Sequence, residues 1–418
     1  MTVKTTLAQA LRNSPSWRKW GSLVGMCLVF LSLASGAFAA ERGKRPLILV
    51  HYMPWFEAKP VSSQWGWHWT MNAFDPEQTH EGKRFIASHY YPLIGPYDSS
   101  DPAVIEYHLL LMKLSGIDGV IVDWYGLSTF LDYATLHRNT QALFKSAAKL
   151  GLLVGICYED QTITHLTESK RLAMSERVPH ARHDIDWLAE NWFSNPAFLK
   201  LDGKPVLLSF GWGGLSDSEW EQVIGSVKTP LLYLSEHRQR RGAAGTFDWP
   251  QPESGLAGLD TYYVSIKGQP VFLPVVFPRF HDSYKAAKVQ EGYPQISDDQ
   301  GRTFATTLEK AVKSGAPFLQ IATWNDWGEG TSIEPSQEFG YRDLEALQKL
   351  RRTLDAQFTF RAEDLRLPYR LWLLRTPPVQ SSANKSALDT VAGLLASGDM
   401  IQARKHLTSI EMLGSKRP

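Results

Sequence analysis

Cysteine is nearly absent: the 418-residue chain has two, Cys27 and Cys157. A disulfide framework is thereby excluded, and stability must come from packing. Neither charge dominates, with 44 Lys and Arg against 43 Asp and Glu. That balance argues against a nucleic-acid surface and for a partner close to neutral. No His-x-x-x-His pair or paired Cys offers metal-ligand spacing, so neither metal nor cofactor is expected. A Gly-rich phosphate loop after the first strand and a Gly-x-Ser-x-Gly elbow are also missing, which disfavours nucleotide binding and acyl hydrolysis. The one apolar run long enough to notice, about 23–33, falls short of the roughly 20 residues a membrane span needs.

That run follows Lys4, Arg12, Arg18 and Lys19 and precedes Ala37-Phe38-Ala39-Ala40. The order is that of a signal peptide over residues 1–40, cleaved near Ala39 or Ala40. A secreted or periplasmic protein without stable membrane insertion is expected. Cys27 would be lost with the signal, and Met26 before it does not fit a lipid-attachment site.

What remains is long enough for one large domain. Short β-branched or apolar runs recur at 47–52, 119–123, 152–158, 205–210, 230–235, 260–264, 271–277 and 317–323. Helical stretches such as 102–115 and 136–150 separate them. This alternation predicts an α/β fold, a (β/α)8 TIM barrel over 41–376, with an open doubly wound sheet as the structural alternative. The connection 53–101 is far longer than an ordinary βα loop and carries Trp55, Trp65, Trp67 and Trp69, so it is expected to wall a cleft. Another long connection, 159–204, is a second candidate wall. Residues 377–418 read as a linker and a helical tail, and a monomer is expected.

In such a barrel the active site lies at the C-terminal strand ends. These present Tyr52, then Asp123, Trp124 and Tyr125, Glu159, Trp212, Glu236, Tyr262, Arg279, and finally Trp324, Asn325, Asp326, Trp327, Glu329 and Glu334. Acids interleaved with aromatics suit a sugar site, and Trp55 on the long loop joins the candidates for substrate binding. Glycoside cleavage needs a protonated carboxylic acid at the leaving oxygen and a second carboxylate across the anomeric carbon. Asp326 and Glu329 could supply that pair, with Glu334 a third candidate. His51 is read as a core or rim histidine.

Trp324-Asn-Asp-Trp-Gly-Glu-Gly-Thr-Ser-Ile-Glu-Pro-Ser336 and Glu338-Phe-Gly-Tyr341 resemble the signature of glycoside hydrolase family 99 and its 71/99-like relatives. Tyr52-Met-Pro-Trp55, Pro92-Leu-Ile-Gly-Pro-Tyr-Asp-Ser-Ser-Asp-Pro102 and Gly116-Ile-Asp-Gly-Val-Ile-Val-Asp-Trp-Tyr125 support it. The resemblance implies a (β/α)8 endo-α-mannosidase that retains anomeric configuration. Glu329 would be the general acid/base, and Asp326 would act on the sugar's 2-hydroxyl to give an epoxide-like intermediate. The family motif carries Glu where this chain has Asp326. An exported endo-acting hydrolase of α-linked polysaccharide is the expectation: α-mannan-like, α-glucan or bacterial exopolysaccharide. The alternatives are a non-catalytic polysaccharide-binding barrel of a surface or export assembly, and a lyase, which would need a basic cleft.

Overall fold

The computed structural model describes residues 45–376 and 382–414. The expected signal segment, with Cys27, and residues 377–381 of the expected linker lie outside the described residues.

Eight parallel positions close on one another. They are β1 (Leu47–Tyr52), β2 (Gly119–Trp124), β3 (Leu153–Glu159), β4 (Lys204–Phe210), β5 (Leu232–Glu236), β6 (Gly245–Phe247), β7 (Phe272–Leu273 and Val275–Val276) and β8 (Phe318–Ile321). Each pairs in parallel with the next, and β8 pairs with β1 through Leu47↔Phe318 and its successors. The first half of β7 pairs with β6 and the second with β8. Pro274 separates the halves because it has no N–H to give to a ladder. Its carbonyl still accepts from Gln320 N at 3.0 Å, so the sheet passes through the break and the barrel shuts.

The expected run of eight strands fails at one place. Residues 260–264, read as the sixth strand, lie inside a helix, Gly255–Ser265. Their Thr-Tyr-Tyr-Val composition favours a strand, but tertiary context overrides propensity. The true β6 is three residues long and opens on Gly245, where a Cβ would stand 1.9 Å from the Val271 carbonyl oxygen. Only glycine admits that approach of backbone to backbone.

Helices lie between the strands, including α1 (Pro102–Ser115) and α2 (Tyr133–Lys149), close to their expected bounds. Asp101 caps α1 by accepting from Ala103 N, with Pro102 at the first helical position. The tail forms two helices, Ser382–Ser397 and Met400–Gly414. They dock on the barrel: Leu388, Val391, Leu395 and Leu407 share an apolar cluster with Leu110 of α1 and Leu371. Arg375 joins the surfaces by pairing with Glu106 at 2.6 Å and Asp389 at 2.9 Å. Among the described residues no helix is long and apolar enough to cross a membrane.

Candidate active site

The barrel mouth carries a cavity of about 180 Å³. Asp123 and Glu159 reach it from the ends of β2 and β3, and Asp326 and Glu329 from the turn after β8. Trp55 and His68 enter from the long loop, stacked with ring centres 4.1 Å apart and planes 6° from parallel. The same loop continues as one wall of a wider groove of about 980 Å³ that shares Trp67, His68, Tyr125 and Glu159 with the cavity. Its other wall comes from residues 125–135 and 159–165. Both long connections therefore shape the cleft, as their length suggested.

The turn after β8 is fixed from below. Thr323 Oγ1 accepts from Asp326 N at 2.8 Å, and Asp326 Oδ1 accepts from Glu329 N at 3.0 Å. Asn325 seizes the exit of β1, accepting from Met53 N at 2.8 Å and donating to Met53 O at 3.0 Å. Gly330 turns the chain at φ +67°, and a Cβ there would meet the His281 carbonyl oxygen at 2.7 Å. His281 N donates to Glu329 O and Ser283 N to Gly328 O, which lays the segment after β7 along the turn. From that segment Tyr284 reaches into the cavity and its hydroxyl donates to Glu329 Oε1 at 3.1 Å.

Burial of several acids with few counter-charges dictates their protonation. Burial pushes Asp326 up to about 6, while the backbone N–H groups of Glu329 and Gly328 favour its ionised form. Asp123 is pushed to about 8 by burial and then by the Asp326 charge. Glu329 stands well above the usual carboxylate range, through burial first and Asp326 second, with the Tyr284 hydroxyl pulling the other way. Glu159 is raised by burial and then by Asp123. The surroundings thus favour the ionised form of Asp326 and the protonated form of Glu329. His51 also lines the cavity. Burial lowers it to about 3, so it stays a neutral ring bonded to Gln320 Oε1 at 2.7 Å.

Of the residues singled out in the sequence, Trp55, Asp123, Tyr125, Glu159, Asp326 and Glu329 line the cavity. Glu236 stands close by, accepting from Gly211 N at 3.1 Å, and its charge helps to raise Glu159 and Glu329. The others lie outside the cavity's lining. Tyr52 bonds His108 Nδ1 at 3.0 Å, and Glu334 accepts from the Tyr97 hydroxyl at 2.7 Å with His108 Nε2 at 3.1 Å, all four residues being buried. Trp324, Trp327 and Asn325 are fully buried. Trp124 is buried too and bonds His137 Nδ1 at 3.1 Å. Arg279 is held by Asp298, Asp343 and the Ser332 carbonyl and stacks on Phe339. Tyr262 belongs to the helix mistaken for a strand and bonds Thr246 Oγ1 at 3.0 Å. Trp212 is exposed outside the cavity, with the guanidinium groups of Arg238 and Arg240 over its ring.

Trp67, expected on a cleft wall, also lines the cavity, and Met53, His68, Met71, Phe210, Trp249, Tyr284 and Gly328 complete the lining without having been assigned to the site. Trp249 follows the unrecognised β6, and Trp67 and His68 sit on the loop read as a wall. No local pattern marks Tyr284. Among the described residues no cluster of three or more His, Cys, Asp or Glu could hold a metal ion.

The family model described as glycosyl hydrolase family 99 matches residues 46–229. A Danio rerio glycoprotein endo-alpha-1,2-mannosidase-like protein is 24% identical over 334 residues, covering 69% of this chain and 70% of that one. The human endo-alpha-1,2-mannosidase-like protein is 29% identical, covering 64% and 62%, so the chain spans under two thirds of that relative. A solved family 99 endo-alpha-mannosidase from Bacteroides thetaiotaomicron superposes with a TM-score of 0.56 at 20% identity, covering 74% of this chain and 97% of that one. In its barrel, and over residues 46–229 in its sequence, this chain is similar to the glycoside hydrolases of family 99.

Proposed function

We propose that the protein is an exported endo-acting α-glycosidase that cleaves within a polysaccharide with retention of anomeric configuration. The observation that carries this reading is the unequal pair in one turn: Asp326, whose ionised form two backbone N–H groups favour, and Glu329, raised well above the usual carboxylate range by desolvation and the Asp326 charge. Their difference assigns base and acid. Names of the relatives, all endo-acting mannosidases or proteins like them, support the same reaction class. The charged and then apolar N-terminal segment supports export.

In the first step Asp326 takes the proton of the sugar's 2-hydroxyl as O2 closes on the anomeric carbon. Glu329 gives its proton to the departing glycosidic oxygen. The resulting 1,2-anhydro sugar is then opened at the anomeric carbon by water. Glu329, now ionised, accepts the water's proton, and Asp326 returns its proton to O2. Two inversions give net retention. Displacement by O2 from the rear requires O2 trans to the leaving group, which α-mannosides provide and α-glucosides do not. An α-mannan-like polymer is therefore the substrate class to test first.

Wild-type protein and Glu329→Gln are incubated with α-mannans, α-1,3-glucans and bacterial exopolysaccharides, and products are identified by mass. Internal cleavage by wild type alone is expected. Equal inertness of both proteins toward every polymer they bind would overturn the reading in favour of a binding barrel.

A further inference from the structure

The whole chain carries almost equal numbers of acidic and basic side chains. The cleft does not share that balance. Asp123, Glu159, Asp326 and Glu329 line the cavity, Glu57 and Asp132 line the groove beside it, and neither lining includes a Lys or Arg. Catalysis as proposed uses Asp326 and Glu329 and leaves Asp123 and Glu159 without a task. Asp123 is more than nine-tenths buried, and its Oδ1 has no hydrogen-bond partner. A buried carboxylate oxygen left open at a cavity wall awaits a donor. Glu159 stands where cavity and groove meet and belongs to both.

A neutral hydroxyl would supply a hydrogen bond but no counter-charge to these acids. An ammonium group supplies both donor and counter-charge. We propose that Asp123 and Glu159 form a subsite for a protonated amine, so that the glycan carries a free amino sugar next to the residue whose bond is cleaved. This rests on the glycosidase reading above: the residue in the cavity keeps its 2-hydroxyl for Asp326, and the amino sugar occupies the mouth of the groove. Anionic polysaccharides are excluded from the same cleft, since no cation there would offset their charge.

Binding carries a signature that a neutral sugar lacks. Burial and mutual repulsion raise both Asp123 and Glu159, so they hold protons in the empty cleft. An arriving ammonium favours their ionised forms and expels a proton. The test uses Glu329→Gln, which prevents turnover, and titration calorimetry at pH 6.5 in buffers of different ionisation enthalpy. The ligands are an α-linked tetramer of three mannose residues and one glucosamine, its N-acetylated counterpart and an α-mannotetraose.

The amine form is expected to bind about tenfold more tightly than either neutral ligand, with release of a proton and with weakening at high salt. Adding Asp123→Asn or Glu159→Gln should reduce that preference to about twofold or less. Two variants are used because either alone could fail to fold. Equal or tighter binding of a neutral tetramer, absence of proton release, or a preference unchanged in both variants overturns the proposal. If wild type cleaves no polymer while the amine preference and proton release persist, the glycosidase reading fails and the amine subsite stands.

Discussion

Glu329, half-buried, and Glu334, buried, leave the same short segment, yet they meet opposite surroundings. Beneath the segment Glu334 has the Tyr97 hydroxyl and the His108 ring. Nearby Arg279 is likewise matched by Asp298 and Asp343. Above it Glu329 faces Asp326, Asp123 and Glu159 in a cavity whose lining holds no Lys or Arg. The lower layer sets its acids against His and Arg and so holds a shape. The upper layer leaves them in conflict, and that conflict separates an acid from a base. Retained strain of this sort is what a functional site can hold when the surrounding structure is over-determined.

The sharpest way to break the contrast is in the upper layer. Glu329→Gln should lower kcat by about 10²–10⁴-fold while leaving the melting temperature within a few degrees, because it removes a general acid but no ion pair. Single-turnover cleavage and a thermal scan on one preparation would show it. The lower layer should answer in the reverse manner. Arg279→Met leaves Asp298 and Asp343 to Arg342 alone and is expected to cost about 1–3 kcal/mol in a urea titration, with kcat of the folded fraction largely kept.

Smaller effects test the seam between the layers. Tyr284→Phe removes the one hydroxyl that donates to Glu329 Oε1. A loss of about tenfold in kcat is expected, with the alkaline limb of the pH profile moving up, since a group favouring ionised Glu329 has gone. In wild type that profile should rise as Asp326 ionises near 6 and fall where Glu329 loses its proton. The smallest effect concerns stability. Asp123 in the fold holds a proton that the unfolded chain has released above about pH 4. Stability is thus greatest in acid and declines as pH rises toward about 8. Asp123→Asn should lessen that decline by about 2–5 °C of melting temperature between pH 5 and pH 8. A steeper decline in the variant would mean that Asp123 is ionised in the fold.

Barrel strands whose apolar runs alternate with helices were legible because burial on both faces of a parallel sheet demands continuous hydrophobic sequence. β6 was not, since three residues starting at a glycine make no pattern, whereas the tyrosines of Gly255–Ser265 imitate one. At the site, Asp326 and Glu329 could be read from a motif local in sequence. The aromatics around them pointed the wrong way: Trp324 and Trp327 pack inward, and the rings lining the cavity include Trp55, Trp67 and Trp249 from elsewhere. Tyr284 could not be read at all, because its place depends on hydrogen bonds between the backbone of 281–283 and that of 328–329.

Asn325 has no chemistry to perform, yet its amide copies a peptide group. By taking a proton from Met53 N and giving one to Met53 O, it adds a rung to the ladder between β8 and β1 just where both strands have ended. The side chain thereby carries the order of the sheet one step beyond the sheet, into the loop that bears Trp55. Asp at this position would keep the acceptor and lose the donor, and Leu would lose both. The first turn of the substrate-facing loop and the turn bearing the acids therefore move as one piece, and a glycan pressing on either is felt by the other.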